Sequence, residues 1–290
     1  MKPSAFSYHR PATLDAALAL LAEHGDAAKA IAGGQSLTPM MNLRLAQPAE
    51  LVDLGDLPGL DQLRESDGQI EVGALVRHQQ LADSALLRER CPLLAEAAQG
   101  IGHYAIRQRG TLGGSLAHAD PAAQLPLVAV TLGAQIELAS RRGQRVVPAR
   151  EFFVSVMTTT LEPDELIVAV RFPALQRGEG TAFRVFNRRH GDFAMVSVAA
   201  SVQMSGSRLG WLRLGIGGVE AVPVHLDELA SQQSGRNADA AWVAEVAAKA
   251  ASAVQPEDDE RIPALYRREL TETLVARALA AALQRSGANP

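Results

Sequence analysis

The chain of 290 residues contains one cysteine, Cys91, and this scarcity restricts its chemistry. One thiol cannot form an internal disulfide, and it cannot supply the cysteine ligands that hold an iron–sulfur cluster. Cys91 precedes Pro92 at the start of a predicted helix, where it is expected to act as a small apolar packing residue. Any iron–sulfur cluster that serves this protein is therefore expected on a partner chain.

Excess positive charge and long apolar runs are also absent. The formal net charge is −4, and the arginines are scattered among acidic residues, so nucleic-acid binding is not expected. The apolar segment 14–22 is interrupted by Asp15 and bounded by Glu23, which makes it too short to cross a bilayer. The sequence indicates a cytoplasmic protein with no export signal and no membrane span.

Motifs for metal binding and catalysis are missing as well. No two histidines stand four residues apart beside a third ligand, so the sequence predicts no metal site and no catalytic side chain. His118 lies inside a glycine-containing segment, where a role beside a cofactor and a role as a surface residue both stay open. The histidines considered, all in separate segments, are His9, His24, His78, His103 and His118.

Two glycine-centred stretches are the most informative feature that is present. The first, AGGQSL at Ala32–Leu37, follows a short apolar run and is predicted to present backbone N–H groups to an anion. Thr38 is the predicted N-cap and Pro39 the predicted first residue of the helix that follows. Ser36 adds a hydroxyl donor for a phosphate oxygen.

The second stretch, GTLGGSLAHADP, spans Gly110–Pro121. Its paired glycines are predicted to let the backbone approach a ligand closely, and Thr111 and Ser115 supply hydroxyls. Asp120 and Pro121 predict a closing turn, from which Asp120 accepts a hydrogen bond from a ribose or ribityl hydroxyl.

Neither stretch matches a standard nucleotide motif. The first lacks the Gly-x-Gly-x-x-Gly spacing of a Rossmann turn and the Gly-Lys-Ser/Thr ending of a P-loop, and no serine lies in a hydrolase elbow. Arg107 and Arg109 precede the second stretch, where phosphate neutralisation and a solvated loop face are both open. Spacing alone therefore predicts two anion-binding loops and, taken together, a dinucleotide site.

Local patterns predict a mixed fold without regular alternation of strands and helices. Thr13 is the predicted N-cap of a first helix that stops at Gly25. Strands are predicted at Glu50–Leu54, Gln69–Gly73, Gln135–Ala139 and Leu166–Phe172. Further helices are predicted at Pro92–Gln99, Pro121–Leu132, Ala238–Val254 and Pro263–Leu283.

Two other glycine-containing segments carry structural predictions. Pro173–Gly180 is rich in proline, glycine and charge, which indicates a domain boundary. Gly215–Gly218 follows an apolar strand pattern and predicts a bend or bulge in the C-terminal part of the chain.

Both glycine stretches, taken at full length, resemble the flavin-contacting segments of the FAD-binding medium subunit of the molybdenum hydroxylases, the xanthine dehydrogenase and carbon monoxide dehydrogenase family. The resemblance runs through the chain in order, from one end to the other. The segments that carry it are Phe6–Leu21, Ala32–Leu54, Val72–His78, Gly110–Pro126, Arg188–Ala200 and Tyr266–Leu279.

The resemblance implies an α+β protein with a two-lobed FAD-binding domain of the vanillyl-alcohol-oxidase type. That domain is expected at residues 1–175, with an N-terminal lobe at about 1–57 and a central lobe at about 58–175. A C-terminal α+β domain of the carbon monoxide dehydrogenase flavoprotein type is expected at 176–290. FAD is expected in the cleft between them.

The resemblance also implies which residues bind FAD. The two stretches would hold the pyrophosphate, while Arg184 falls where relatives place a basic residue near the flavin and Phe193 where a residue packs beside the isoalloxazine ring. One departure is Gln124, which stands where the family commonly has an acidic residue, and its effect on flavin affinity or potential is open. The implied cofactor-binding residues are Ala32, Gly33, Gly34, Gln35, Ser36, Leu37, Thr111, Gly113, Gly114, Ser115, Asp120, Arg184 and Phe193.

The function implied by the resemblance is electron transfer within a molybdenum hydroxylase. A large partner subunit would carry molybdopterin and a small one the iron–sulfur clusters, in a dimer of heterotrimers, and the FAD of this chain would pass electrons to an external acceptor. The alternative is a free-standing FAD oxidoreductase with its own substrate pocket over the flavin. A scaffold with a vestigial flavin site is a third possibility, which the intact glycine stretches argue against.

Overall fold

The computed structural model describes residues 2–259 and 262–287. The outer limits predicted for the domains, residues 1 and 290, lie outside this part of the chain. No helix within the described ranges is both long enough and apolar enough to cross a membrane.

The N-terminal segment folds as a parallel three-stranded sheet covered by one helix. Thr13 caps that helix by accepting a hydrogen bond from the Ala16 N–H at 3.2 Å, and the helix ends at Gly25 with φ +50°, as predicted. The apolar helix face packs on Val52 of the central strand. The elements are β1 (Ser7–His9), α1 (Leu14–His24), a 3-10 turn (Gly25–Ala27), β2 (Ala28–Ile31), α2 (Leu37–Asn42) and β3 (Glu50–Asp53), with strand order β1-β3-β2.

The central segment forms an antiparallel five-stranded sheet packed against a layer of helices. The helix 124–132 is buried at every residue, as expected for a helix that is apolar on all sides. Its strands are β4 (Leu63–Ser66), β5 (Gln69–Gly73), β6 (Gln135–Ser140), β7 (Gly143–Pro148) and β10 (Leu166–Pro173), in the order β4-β5-β10-β6-β7, with a separate hairpin of β8 (Phe153–Ser155) and β9 (Thr158–Thr159). The helices are α3 (His78–Asp83), α4 (Ala85–Arg90), α5 (Pro92–Gln99), α6 (Tyr104–Arg107), α7 (Leu112–His118), α8 (Gln124–Leu132) and α9 (Ala149–Phe152).

The C-terminal segment is a second antiparallel sheet with helices on both faces. Its strand 196–205 is buried over seven successive residues because alternate side chains enter two cores. Val198 and Ala200 pack with the C-terminal helices, whereas Ala199 joins the core of the central segment. The elements are β11 (Glu179–Phe186), β12 (Val196–Ser205), β13 (Arg208–Gly217), β14 (Val224–His225), α10 (Asp227–Ser231), α11 (Ala240–Ala253) and α12 (Ala264–Arg285), with strand order β11-β12-β13-β14.

The predicted strands and helices are present, and the start of one helix of the central segment is wrong. Helix α8 starts at Gln124 and not at Pro121, because Asp120 forms a turn with the N–H groups of the two residues after Pro121. In β13 the register shifts at Gly210, between Leu209 and Trp211, and then continues without a break to Gly217. The chain bends at Gly218, with φ +79°, as predicted for this glycine segment. A side chain at Gly215 would overlap Thr131 of α8, so this glycine serves close packing of helix on sheet.

Glu96 of α5 joins the central segment to the C-terminal segment. One carboxylate oxygen accepts from Arg184 of β11 at 3.0 Å, and the other accepts from Arg285 of α12 at 2.7 Å and from the Phe183 N–H at 3.1 Å. The side chain of Glu96 is 27 % exposed, so the charges are only partly screened by solvent.

Cys91 is buried and packs in the core of the central segment. Burial raises the pKa of its thiol to about 12, so the reactive thiolate is not formed at neutral pH.

Replacing Glu96 with glutamine is expected to lower the free energy of unfolding by about 1–2 kcal/mol, because two arginines lose a shared charged acceptor. Urea unfolding would measure the change. Glu89→Gln on the neighbouring helix is the matched control, since Glu89 is exposed and its carboxylate accepts no hydrogen bond from the described residues. Equal midpoints for the two variants would contradict a stabilising role of the Glu96 cluster.

Candidate functional site

The first glycine stretch lies between β2 and α2, at the carboxyl edge of the parallel sheet. The N–H groups of Thr38 and Met40 donate to the carbonyls of Gly34 and Ser36 at 3.1 and 3.2 Å. The N–H groups of residues 33–36 have no acceptor within the described ranges. The Gln35 amide donates to the Gly33 carbonyl at 3.0 Å and stabilises the turn of the loop. Four successive donors therefore remain for an external acceptor, such as the oxygens of a phosphate.

The start of α2 differs from the prediction. The helix begins at Leu37, so its N-cap is Ser36 and not Thr38, and Pro39 is its third residue. The Ser36 side chain makes no capping hydrogen bond, and its hydroxyl has no partner in the described part of the chain. Because the helix begins earlier, this hydroxyl lies at the helix start together with the free N–H groups.

The second glycine stretch is largely helical and not a loop. Thr111 is the N-cap of α7, and its hydroxyl oxygen accepts from the Gly114 N–H at 3.1 Å. The N–H groups of Leu112 and Gly113 donate to the carbonyls of Val76 and Ala74, at 3.0 and 2.8 Å. The first backbone donors of this helix are thus used within the chain, which leaves close approach and side-chain hydroxyls for a ligand.

The glycines of α7 are required by packing as well as by any ligand. A Cβ at Gly113 would lie 2.7 Å from that of Ala74, and one at Gly114 would lie 2.8 Å from the Thr111 hydroxyl oxygen. Gly114 is exposed, and half-buried Ser115 has a hydroxyl without a partner among the described residues. The exposed part of α7 therefore presents the Gly114 backbone and the Ser115 hydroxyl.

The two stretches are in direct contact, as a shared site requires. A side chain at Gly33 would overlap the carbonyl oxygen of Arg109, the residue before the second stretch. The Arg77 guanidinium donates to the same carbonyl. The fold therefore places the four free N–H groups of the first stretch, with the Ser36 hydroxyl, against the start of the second stretch, in which Ser115 lies on α7.

His78 supports the second stretch from inside the protein. Its Nε2 lies 2.9 Å from the Thr111 carbonyl oxygen, its backbone N–H donates to Gly110, and a Cβ at Gly110 would meet its ring at 2.6 Å. Burial lowers the pKa of His78 from 6.5 to about 4, so the imidazole is neutral and Nε2 is the donor. The other ring nitrogen, Nδ1, is buried without a hydrogen-bond partner in the described chain.

Sequence reasoning missed the contributions of Ala74, Arg77 and His78. All three belong to the segment VGALVRH, which was used for its resemblance to the family, while His78 was considered only as a metal ligand. The signal that could have identified them is the arginine–histidine pair shortly after an apolar strand. Polar side chains at such a position can support a neighbouring loop. The hydrogen bonds that define these roles span 32–39 residues, so local patterns do not reveal them.

The charged residues before and after α7 have different roles. Arg107 donates to the Gln79 side chain at 2.9 Å and to the Ile101 carbonyl at 3.0 Å, so it holds helices together. Arg109 is exposed. Asp120 accepts from the Ala122 N–H at 2.8 Å with one carboxylate oxygen, which confirms the predicted turn. Its other oxygen has no partner among the described residues.

Gln124 is almost fully buried at the start of α8. Its amide nitrogen donates to the Gly100 carbonyl at 3.1 Å, while its amide oxygen is buried with no partner in the described chain. An acid at this position could not donate this hydrogen bond unless it were protonated, so the glutamine suits the local structure. Its influence on a flavin remains a prediction.

The C-terminal residues implied by the resemblance lie on β11 and in the connection to β12. Arg184 is bound to Glu96, so a flavin contact from its guanidinium stays a prediction. Phe193 is 67 % exposed. Its segment approaches α6, because Gly191, at φ +90°, packs against the His103 ring. Tyr104 at the start of α6 is also exposed. The rings of Phe193 and Tyr104 therefore both face solvent, and α6 lies shortly before the second glycine stretch.

Family models match almost the whole chain. Residues 4–175 match the FAD binding domain in molybdopterin dehydrogenase, and residues 181–282 match the CO dehydrogenase flavoprotein C-terminal domain. The chain belongs to the molybdopterin dehydrogenase flavoprotein family. This flavoprotein is therefore an FAD-binding subunit of a molybdopterin-dependent oxidoreductase. The resemblance to this family that the sequence analysis noted is confirmed, and so is the predicted α+β fold class.

Similar proteins cover this flavoprotein from end to end. The 6-hydroxypseudooxynicotine dehydrogenase complex subunit alpha of Paenarthrobacter nicotinovorans is 40 % identical, over 99 % of this chain and 97 % of its own. The carbon monoxide dehydrogenase medium chain of Hydrogenophaga pseudoflava is 36 % identical, over 98 % and 99 %. The solved structure of quinoline 2-oxidoreductase from Pseudomonas putida 86 matches with TM-score 0.94 and 35 % identity, over 99 % of each chain.

Proposed function

We propose that this flavoprotein binds the FAD pyrophosphate where residues 33–36 meet the start of α7. The observation that carries the proposal is the run of four N–H groups without acceptors in the described chain, together with the unpartnered Ser36 hydroxyl, in a stretch that contacts the start of the second one. A run of successive backbone donors suits an anion, and Gly33 and Gly34 place no side chain at two of the four positions. The residues that would hold FAD are those predicted from the sequence, with Arg77 and His78 fixing the second stretch from behind.

Bound FAD supplies reversible electron transfer, which the side chains of this protein do not provide. The residues of the chain bind and orient it. Backbone donors and the hydroxyls of Ser36 and Ser115 would hold the phosphates, the free oxygen of Asp120 would accept from a ribityl or ribose hydroxyl, and exposed Phe193 would lie beside the ring. No side chain is assigned as acid, base or nucleophile.

We further propose that the electrons come from iron–sulfur clusters on a small partner subunit, after substrate oxidation at molybdopterin in a large one. The single buried cysteine supports this division, because no cluster can be ligated here. The names of two relatives, a medium chain and a complex subunit, support a multi-subunit enzyme. A dimer of heterotrimers, a cytoplasmic location and a domain division after residue 175 stay predictions.

The substrate is proposed to be selected by a partner subunit. The three relatives named above act on 6-hydroxypseudooxynicotine, carbon monoxide and quinoline, yet they are 40 %, 36 % and 35 % identical to this chain. Similar identity to proteins with such different substrates is expected if this subunit handles electrons only.

The assembly is tested by purifying the protein under native conditions, recording its visible spectrum, and identifying the cofactor released by acid and the chains that copurify. FAD together with iron–sulfur absorbance and two partner chains is expected. FAD on a lone chain that turns over a substrate would support the alternative of a free-standing oxidoreductase. A natively purified chain without flavin, and without affinity for added FAD, would refute the proposal.

Pyrophosphate recognition predicts a ranking of ligands. The flavin-free chain is expected to bind FAD far more tightly than riboflavin, and ADP is expected to compete with FAD, because the free N–H groups contact phosphate and not the ring. Quenching of flavin fluorescence measures both. Equal affinity for riboflavin and FAD would place the ring, and not the pyrophosphate, in control of binding.

Phe193→Ala tests the ring side of the site. The substitution is expected to shift the flavin potential or fluorescence, while stability changes by less than about 0.5 kcal/mol because the side chain is mostly exposed. Val146→Ala, at another exposed apolar residue on edge strand β7, is the control. Unchanged spectrum and potential would remove Phe193 from the site.

A further inference from the structure

Three potential metal ligands meet in the N-terminal lobe, away from the glycine stretches. One ligand atom each from His9, His24 and Glu50 lies within 4.8 Å of the others. The Nε2 atom of His9 is 2.6 Å from a carboxylate oxygen of Glu50, and the rings of His9 and His24 stack with centroids 5.7 Å apart. No metal site was predicted because these two histidines lie far apart in the sequence. The fold nevertheless brings them together.

Strand pairing and one helix end explain this convergence. His9 of β1 is paired with Val52 of β3, and Glu50 lies two residues before Val52, so both side chains are on the sheet face that packs against α1. His24 is the last residue of α1 and reaches the same face from above. The ligands therefore come from three elements whose relative positions the lobe core fixes.

Glu50 and His24 lie toward the opposite end of the strands from the first glycine stretch. His9 is the last residue of β1, level with Val52, but its Nε2 atom reaches back to the Glu50 carboxylate. Glu50 begins β3 and is paired with Ala28, the first residue of β2, whereas the stretch follows Ile31, the last residue of β2. A strand of this length spans roughly 10–13 Å. Metal binding here is consequently separable from FAD binding.

We propose that His9, His24 and Glu50 form a site for Zn²⁺. Two imidazoles and one carboxylate form an established three-ligand set for zinc, with water as the fourth ligand. In a tetrahedral site with bonds of about 2.0–2.2 Å, ligand atoms lie roughly 3.3–3.6 Å apart. Small side-chain rotations would reach this spacing from the present one. The His9 and Glu50 side chains are 30 % and 20 % exposed, so an ion and its water can enter.

A bound ion would link β1, β3 and the end of α1. The metal binds the folded lobe, in which the ligands are together, and not the unfolded chain, so it stabilises the folded state by mass action. The effect expected of the ion is therefore on the stability of the N-terminal lobe, independent of the proposed electron-transfer function.

Calorimetric titration of the untagged, chelator-treated full chain with zinc chloride tests the proposal. One Zn²⁺ per chain is expected to bind and to raise the midpoint of thermal unfolding. His9→Asn and His24→Asn are each expected to weaken binding at least as much as the roughly 10–100-fold typical of losing a residue that supports a ligand. Co²⁺ should give visible absorption of tetrahedral type in the natural chain and not in the His9→Asn and His24→Asn variants.

The matched control is His225→Asn. His225 also pairs with a carboxylate, that of Asp227 at 3.0 Å, but belongs to no group of three ligands in the described chain. Its loss is expected to leave the zinc stoichiometry and affinity unchanged. No binding by the natural chain, or full binding by both folded variants of the site, would overturn the proposal. Circular dichroism would establish that the variants fold, and Glu50→Gln provides a third variant.

Discussion

Gly33→Ala is expected to yield a folded chain that has largely lost FAD. The new methyl group would overlap the Arg109 carbonyl oxygen, which belongs to backbone that Arg77 also holds in place. The first stretch must therefore shift away from the second by about 1 Å to restore an ordinary contact. A displacement of that size spoils the alignment of the free N–H groups, and we expect FAD affinity to fall by roughly tenfold to hundredfold.

Two further glycine variants make this result specific. Gly114→Ala is expected to weaken FAD binding less, because its methyl group meets only the Thr111 hydroxyl oxygen, at 2.8 Å. Gly55→Ala in the same lobe is the control, since the nearest atom to its methyl group is a side-chain oxygen of Asp53 at 3.1 Å. Stoichiometric FAD in purified Gly33→Ala would refute the assignment of this loop to the cofactor.

His78 is expected to make stability depend strongly on pH. The folded imidazole, with its pKa lowered from 6.5 to about 4, stays neutral where the same group in the unfolded chain binds a proton. The free energy of unfolding contributed by His78 should therefore fall as the pH decreases from about 6.5 to 4, by about 3 kcal/mol in total. Above pH 6.5 the contribution is constant because both states are neutral.

His78→Gln isolates this contribution. A glutamine amide can donate to the Thr111 carbonyl as Nε2 does, yet it does not titrate. The difference in urea midpoint between the natural chain and the variant should change across pH 4–6.5, whereas titrating carboxylates affect both proteins alike. His78→Ala also loses the donor and leaves a cavity, so a cost of about 2–4 kcal/mol is expected at neutral pH. A pH-independent difference between the natural chain and His78→Gln would show that burial does not perturb His78.

Elements with local signals were predicted well. The first helix has a capping threonine and a terminal glycine, and strand Gln69–Gly73 and helix Pro92–Gln99 have the predicted bounds. These signals act within a few residues and do not depend on the rest of the fold. The starts of α2 and α8 were wrong by two and three residues. In α2 the backbone of Gly34 accepts from the Thr38 N–H, and before α8 a competing Asp120 turn delays the helix.

The candidate site was only partly accessible from sequence. The two stretches and their glycines were found, but the second was expected to offer its backbone to the ligand. In the structure, the Gly113 N–H donates to Ala74 and the Gly114 N–H donates to Thr111, so the glycines also serve internal packing. The role of His78 was missed because a histidine after a strand has no local pattern that distinguishes a buried donor from a surface residue.

The sequence by itself determined the class of this protein. Its single cysteine excludes an iron–sulfur cluster, and its two glycine stretches, in the context of segments along the whole chain, predicted a family that the comparisons confirm. Tertiary structure alone decided which backbone donors remain free, that Gly33 lies against Arg109, and that His9, His24 and Glu50 meet. The physical reason is that composition and glycine freedom are properties of residues, whereas hydrogen-bond partners and ligand spacing depend on which distant segments the hydrophobic cores bring together.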